Sequence, residues 1–253
     1  MKYYRELLAF GCFSREQVTE LVGNYNTAGT LLKSYLKKGY VRGVKRNLYV
    51  AVNLADSQPA ASKYRIASQI TPASYVSHHA AFEVYGCANQ VSYQVEVSSE
   101  TPFTTFDFGG ITYAYMASRI SNGVVTRPDG VRVTDIERTV LDGIQNFDKV
   151  MGLEELLRCL TLVPSLKEEK LLSYLTAYGK QVLYQKAGYI LRHFQSEFHL
   201  SEAFFTECAA HIGKSTRYLP FDKSGVYNNE WQLIAPENLM EIISKGTDED
   251  ADV

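Results

Sequence analysis

Two adjacent histidines, His78-His79, are the residues in this sequence that most resemble a metal or catalytic pair. Neighbouring side chains on a helix point about 100° apart, so two such rings rarely meet one ion. No cysteine or third histidine lies close in sequence, and the pair reads as structural, with one ring hydrogen-bonded inside its domain. Glu137, Arg138 and Asp142 form a second charged group. Arg138 and Asp142 stand four residues apart and can pair along one helix face, which suits a fold-stabilising ion pair. A restriction-type nuclease needs an acid and an Asp/Glu-x-Lys on a strand to hold a divalent metal. The strand candidate ending at Ser98 lacks that lysine, and the Glu-x-Lys of Glu168-Glu169-Lys170 falls in a helical segment. There is no Gly-rich phosphate loop, HExxH or GxSxG motif. The Gly-Ser turn and paired strand aspartates of a nucleotidyl transferase are missing as well. No catalytic residue, metal or cofactor is assigned, and the protein is not expected to be an enzyme.

The chemistry that does stand out is electrostatic. Of 26 basic and 28 acidic residues in 253, nine Lys/Arg and three acids lie in residues 1–52, a net charge of +6. The remaining residues hold 17 and 25, a net charge of −8. A basic unit joined to a larger acidic one points to a polyanion as partner of the first part.

The elements expected to position those cations follow from local pattern. Residues 3–10 carry apolar residues at helical spacing, and Gly11 stops them. Ser14 with Gln17 is a capping box opening a second helix to about Val22. Gly23-Asn24 breaks it, and a third helix runs from Asn26 or Thr27 to Lys38, closed by Gly39. Strands 40–44 and 48–52 flank the turn Lys45-Arg46-Asn47. Two short helices on a glycine turn, followed by a basic hairpin, read as a winged helix-turn-helix. On the third helix Leu32, Tyr35 and Leu36 form the apolar stripe. The candidate DNA-binding residues on this helix are Asn26, Thr27, Thr30, Lys33, Ser34, Lys37 and Lys38. On the hairpin they are Arg42, Lys45, Arg46 and Asn47. Small polar side chains near the helix start approach base edges, and lysines meet phosphates.

Residues 53–62 are small and polar with Pro59, which suits a linker, and 63–244 read as one larger α+β domain. It begins with short helices at 63–70 and, capped by Ser77 or a neighbour, up to Tyr85 before Gly86. Strands are expected at 92–98, 103–108 and 111–116, with shorter ones near Val124 and Val131. Gly109-Gly110 reads as a two-residue hairpin turn. Thr134 is expected to cap a helix over 135–145. Residues 153–211 are helical in pattern, and late strands fall at 216–219 and 231–234. The tail 245–253 carries four acids and is expected to be disordered. Without an apolar stretch of about eighteen residues, and with Cys12, Cys87, Cys159 and Cys208 far apart, the sequence reads as cytoplasmic with reduced thiols.

Several segments, taken in order, resemble the AbiEi antitoxin family. They are the basic N-terminal unit, Ser74-Tyr75-Val76-Ser77-His78-His79-Ala80-Ala81 with Tyr85-Gly86, and Phe106-Asp107-Phe108-Gly109-Gly110-Ile111-Thr112-Tyr113. Asp135-Ile136-Glu137-Arg138-Thr139-Val140-Leu141-Asp142 and Pro236-Glu237-Asn238-Leu239 complete the series, which spans nearly the whole chain. The resemblance implies a bacterial or archaeal regulator that represses its own operon. It also implies antagonism of a co-encoded nucleotidyltransferase-like toxin in a type IV toxin–antitoxin system linked to phage defence.

The expected partner is therefore double-stranded DNA, together with functional pairing to such a toxin. One winged helix covers only about 600–1,000 Å², so two copies are expected on an inverted repeat near the promoter, as monomers or a weak dimer pairing on DNA. The alternatives are an enzyme of nuclease type with dispersed catalytic residues, and a protein-interaction adaptor that docks through the winged helix.

Overall fold

The computed structural model describes residues 1–219 and 225–243; the acidic tail lies outside them. The chain is mixed α+β with several sheets and divides into two compact units. Unit 1 comprises residues 1–76, 93–117 and 126–133, and unit 2 comprises 77–92, 118–125 and 134–253.

Unit 1 opens with α1 (Tyr4–Phe10), β1 (Cys12–Ser14), α2 (Arg15–Val22), α3 (Tyr25–Lys37), β2 (Val41–Lys45) and β3 (Leu48–Ala51). Gly11, at φ +68°, closes α1 by donating to the carbonyls of Leu7 and Leu8. The capping box forms: Ser14 Oγ accepts from the Gln17 amide and the Gln17 side chain accepts from the Ser14 amide. The third helix starts earlier than its pattern suggests, because Asn24 caps it by accepting from the amides of Asn26 (2.9 Å) and Thr27 (3.0 Å). Its core stripe is Ala28, Leu32 and Tyr35, at i, i+4 and i+7. Leu36 is 40% exposed and does not belong to that stripe; it lies about 100° round the helix from Tyr35. These residues pack with Tyr4, Leu7, Phe13, Val18 and Val41 into one core. Strand β1, unforeseen in the sequence, joins the hairpin in the order β1-β3-β2.

Residues 53–62, linker-like in composition, fold back on themselves and on β3. The Ala60 amide donates to the Ala51 carbonyl and the Asn53 amide to Gln58 O, both at 2.8 Å, and Val52 bridges Pro59. This closed loop leads to α4 (Lys63–Ala67) and β4 (Tyr75–Val76) without a break between units, so the expected division at residue 52 does not match the compact units. Strands β5 (Gln94–Ser99), β6 (Phe106–Phe108), β7 (Ile111–Ala117), β8 (Val124–Thr126) and β9 (Arg132–Thr134) complete a sheet of order β6-β7-β5-β4-β9-β8. Gly109 and Gly110 turn β6 into β7 with φ of +61° and +79°, the backbone that a two-residue hairpin of this hand requires.

Unit 2 is mainly helical: α5 (His78–Tyr85), α6 (Ile136–Val150), α7 (Gly152–Leu162), α8 (Glu168–Tyr178), α9 (Gln181–Arg192), α10 (Gln195–Phe198) and α11 (Glu202–Ala210). A small sheet of β10 (Arg217–Tyr218), β11 (Val226–Asn228) and β12 (Leu233–Ala235) follows, in the order β10-β12-β11. Asp135, not Thr134, caps α6: its Oδ1 accepts from the Arg138 amide at 3.0 Å, while the Thr134 hydroxyl pairs with Thr139. The expected end of this helix at Gln145 falls beside Asn146, whose φ of −129° kinks α6 before it continues to Val150. Leu141, Ile144, Leu156, Leu175, Ile190 and Trp231 are fully or almost fully buried in the core. Among the described residues no helix is long and apolar enough to cross a membrane.

Candidate nucleic-acid interface

Helix α3 buries Ala28, Leu32 and Tyr35, which turns Asn26, Thr30, Lys33 and Lys37 outward at i, i+4, i+7 and i+11. At 100° per residue those four fall within about 60° of one another, and all four are exposed. Thr27 and Lys38, also exposed, and half-buried Ser34 flank the stripe. The helix backbone and its cap constrain the two threonines: Thr30 Oγ1 donates to the Asn26 carbonyl (3.1 Å) and Thr27 Oγ1 to Oδ1 of the capping Asn24 (3.3 Å). No ion pair involves Lys33, Lys37, Lys38 or Arg46 among the described residues, which leaves a concentration of positive charge facing solvent.

The hairpin cations divide into two kinds. Arg46 is exposed at the tip. Lys45, beside it, is half-buried, with its Nζ 5.2 Å from the ring centroid of Phe103 and 5.7 Å from that of Phe106. Burial lowers the Lys45 pKa from its ordinary value. Those rings belong to an aromatic cluster around β6 and β7, in which Phe106 stacks on Tyr113 and Phe103 meets Tyr115 edge-on. Arg42 donates from Nη2 to the Ser57 carbonyl at 2.9 Å. Asn47, in the left-handed region at φ +62°, is committed to the start of α2. It accepts from the Arg15 amide (3.2 Å) and donates to Glu16 Oε2 (2.7 Å). That hydrogen bond, the largest cause, holds the Glu16 carboxyl below its usual pKa. The eleven residues singled out in the sequence therefore form one outward stripe with its flanks, one free tip cation, and three side chains engaged in holding the hairpin.

Sequence reasoning missed Arg15 and Gly29. The Arg15 guanidinium lies 3.7 Å from the ring centroid of Tyr25 and spans the α2–α3 turn. A Cβ on Gly29 would stand 2.6 Å from Arg15 Nη2, so the glycine makes room for that cation. The signal was local: an arginine at the first position of α2, ten residues before an aromatic at the first position of α3.

The other chemical-looking groups lie in unit 2 and are heavily hydrogen-bonded. The rings of His78 and His79 diverge. His78 pairs with Ser77 Oγ (2.8 Å) and Asn146 Nδ2 (3.0 Å), whereas His79 Nε2 meets Glu155 Oε1 at 3.0 Å. His79, Glu155 and Cys159 bring donor atoms within 4.8 Å of one another, a set that could hold a metal ion. Glu155 Oε1, however, already accepts from the amides of Asn89 and Gln90 and from Cys159 Sγ as well as facing His79. The sequence hid this group because Glu155 and Cys159 sit four apart on α7, far along the chain from His79.

Arg138 Nε and Asp142 Oδ1 pair at 2.9 Å, both nearly fully buried. Arg138 also donates to the carbonyls of Ile120 and Asn122, and the Tyr178 hydroxyl donates to Asp142. Glu137 takes no part in that pair. It accepts from Lys170 Nζ (3.3 Å) and the Lys167 amide (3.1 Å) in a cleft of about 360 Å³. Asp135 accepts from Lys170 Nζ in the same cleft (2.8 Å), and this hydrogen bond is the main reason that the lysine pKa is raised. Its opposite charges are thus matched internally.

The sequence matches no protein-family profile and no curated protein. Among solved structures, the crystal structure of the RV2827C protein from Mycobacterium tuberculosis resembles this one with a TM-score of 0.62. The likeness covers 93% of this chain and 89% of that one, at 13% sequence identity. At so low an identity what the two share is a fold.

Proposed function

We propose that residues 1–52 act as a winged helix-turn-helix that binds duplex DNA, and that the protein is a transcriptional autorepressor and antitoxin working in the cytoplasm. The order α1-β1-α2-α3-β2-β3, with a glycine turn between α2 and α3, supports the winged-helix reading. The observation that carries it is the stripe of Asn26, Thr30, Lys33 and Lys37 on the face of α3 opposite its core. In this reading α3 enters the major groove, Asn26 and Thr30 face base edges, and Lys33, Lys37 and the hairpin's Arg46 face phosphates. The antitoxin half rests on the AbiEi resemblance, which implies antagonism of a nucleotidyltransferase-like toxin encoded beside it.

Titration of labelled duplexes from the protein's own upstream region, at several salt concentrations, tests the first half. Binding should weaken linearly in log–log form as salt rises. A combined Lys33→Ala, Lys37→Ala and Arg46→Ala variant with unchanged affinity would sink the assignment. Sequencing the adjacent reading frames and co-expressing a nucleotidyltransferase-like gene found there tests the second half; the lack of such a gene, or growth arrest that the full chain leaves unrelieved, would remove it.

A further inference from the structure

We propose that Phe103 and Phe106 are positioning residues for DNA binding, clasping Lys45 and so fixing the β2–β3 hairpin relative to α3. The inference rests on the DNA-binding reading and changes which residues serve it. Lys45 looks in sequence like a phosphate contact, one of two adjacent cations in a turn. In the fold its ammonium stands over two aromatic rings, 5.2 and 5.7 Å from their centroids. A cation held over ring faces is bound by the ring quadrupole, and more strongly as water is excluded. The rings are themselves locked. Phe106 stacks on Tyr113 at 5.2 Å, Phe103 meets Tyr115 at 5.3 Å, and both rings sit 6.3 Å apart edge-on.

On its other side the hairpin is pinned by Asn47, which bridges the Arg15 amide and the Glu16 carboxylate at the start of α2. Between these two anchors only Arg46 is released to solvent. The clasp comes from residues about sixty positions further along the chain, yet within the same compact unit as α3. The DNA-reading module thus includes the β6–β7 hairpin, which touches no DNA in this scheme, and Lys45 spends its charge on the rings.

Full-length variants separate these roles. Phe103→Leu with Phe106→Leu keeps apolar bulk and removes the ring faces; Lys45→Met keeps the stem and removes the charge. Both should weaken duplex affinity roughly tenfold while leaving the slope of log affinity against log salt unchanged. Arg46→Ala should lower that slope by about 0.9, the loss of one phosphate contact. Lys45→Arg, which restores a cation over the rings, should bind like the parent protein. Limited trypsin digestion gives a readout independent of DNA: cleavage after Arg46 should quicken in the leucine and methionine variants and not in Lys45→Arg. A Lys45→Met protein whose salt slope falls by about 0.9, with cleavage at the parental rate, would overturn the clasp and make Lys45 a phosphate contact. If the parent protein binds no duplex, the DNA-binding reading fails, and the clasp stands or falls on the digestion alone.

Discussion

At the scale of single residues, the free and the committed cations should behave differently. Lys33→Ala and Lys37→Ala should each weaken binding to all duplexes and each reduce the salt slope by about 0.9, measured by anisotropy between low and moderate salt. Asn26→Ala and Thr30→Ala remove no charge. They should instead change which sequences are preferred, seen by selection from a random-duplex library, at about 1–3 kcal/mol per lost base contact. Helical spacing made α3 legible with Leu32 and Tyr35 on its buried face, because such periodicity is a local property, whereas Ala28 takes the place expected of Leu36. The hairpin was legible only in outline. Arg42, Lys45, Arg46 and Asn47 look alike in sequence, and what separates them is Ser57, the rings of Phe103 and Phe106, and the start of α2. Each of those contacts is set by tertiary packing, which a local window cannot see.

At the scale of elements, two contacts hold unit 2 in ways that melts can read. Gly188 on α9 lies against Trp231: a Cβ there would come within 2.0 Å of the indole ring. Gly188→Ala should therefore destabilise by about 1–3 kcal/mol or more through overpacking, despite alanine's better helix propensity, in urea denaturation. Helix α8 is tied to α6 by Tyr174 donating to Asp135 and Tyr178 donating to Asp142. Burial, first of several causes, raises the pKa of both phenols. A raised folded-state pKa means that the native chain keeps protons which the unfolded chain gives up above about pH 10. The phenols' contribution is thus whole below that pH and is lost as pH rises beyond it. A Tyr174→Phe, Tyr178→Phe protein should be less stable at neutral pH, by about 1–3 kcal/mol for each lost hydrogen bond to a carboxylate. Its stability should also fall less steeply with pH above about 10. The same scale shows where pattern reading succeeds. Helices with a capping box, a terminal glycine or a long apolar stripe were found, as was the Gly109-Gly110 turn. Strands β1, β4 and β11 were missed, each only two or three residues long, too short to show an alternation that distinguishes them from loop.

At the scale of the whole molecule, the proposed activities should come apart by point mutation rather than by truncation. A cut at residue 62 would divide unit 1, because 63–76, 93–117 and 126–133 belong to it. The full-length Lys33→Ala, Lys37→Ala, Arg46→Ala protein should lose promoter repression while still relieving toxin-induced growth arrest, scored with a promoter–reporter fusion and a viability assay. Loss of both together would argue against a division of labour. Footprinting joined to analytical ultracentrifugation should find two chains on an inverted repeat; a single chain on a non-palindromic site would exclude that arrangement. The domain organisation was the least legible part of the sequence. A polar, proline-containing stretch at 53–62 has a linker's composition, and only its backbone hydrogen bonds to β3 and its own turn reveal a closed loop. The interleaving of the two units bears on how the protein is made. Unit 1 draws its last strand residues from 132–133, so a growing chain can present α3 and the basic hairpin long before it can supply the sheet. On a ribosome adding about 5–20 residues per second, roughly a hundred residues separate the synthesis of α3 from completion of its unit, an interval of about 5–20 s. On the proposed reading, a nascent chain would spend that interval with its DNA-binding unit unfinished, and a message truncated before codon 126 would lack the last segment of that unit.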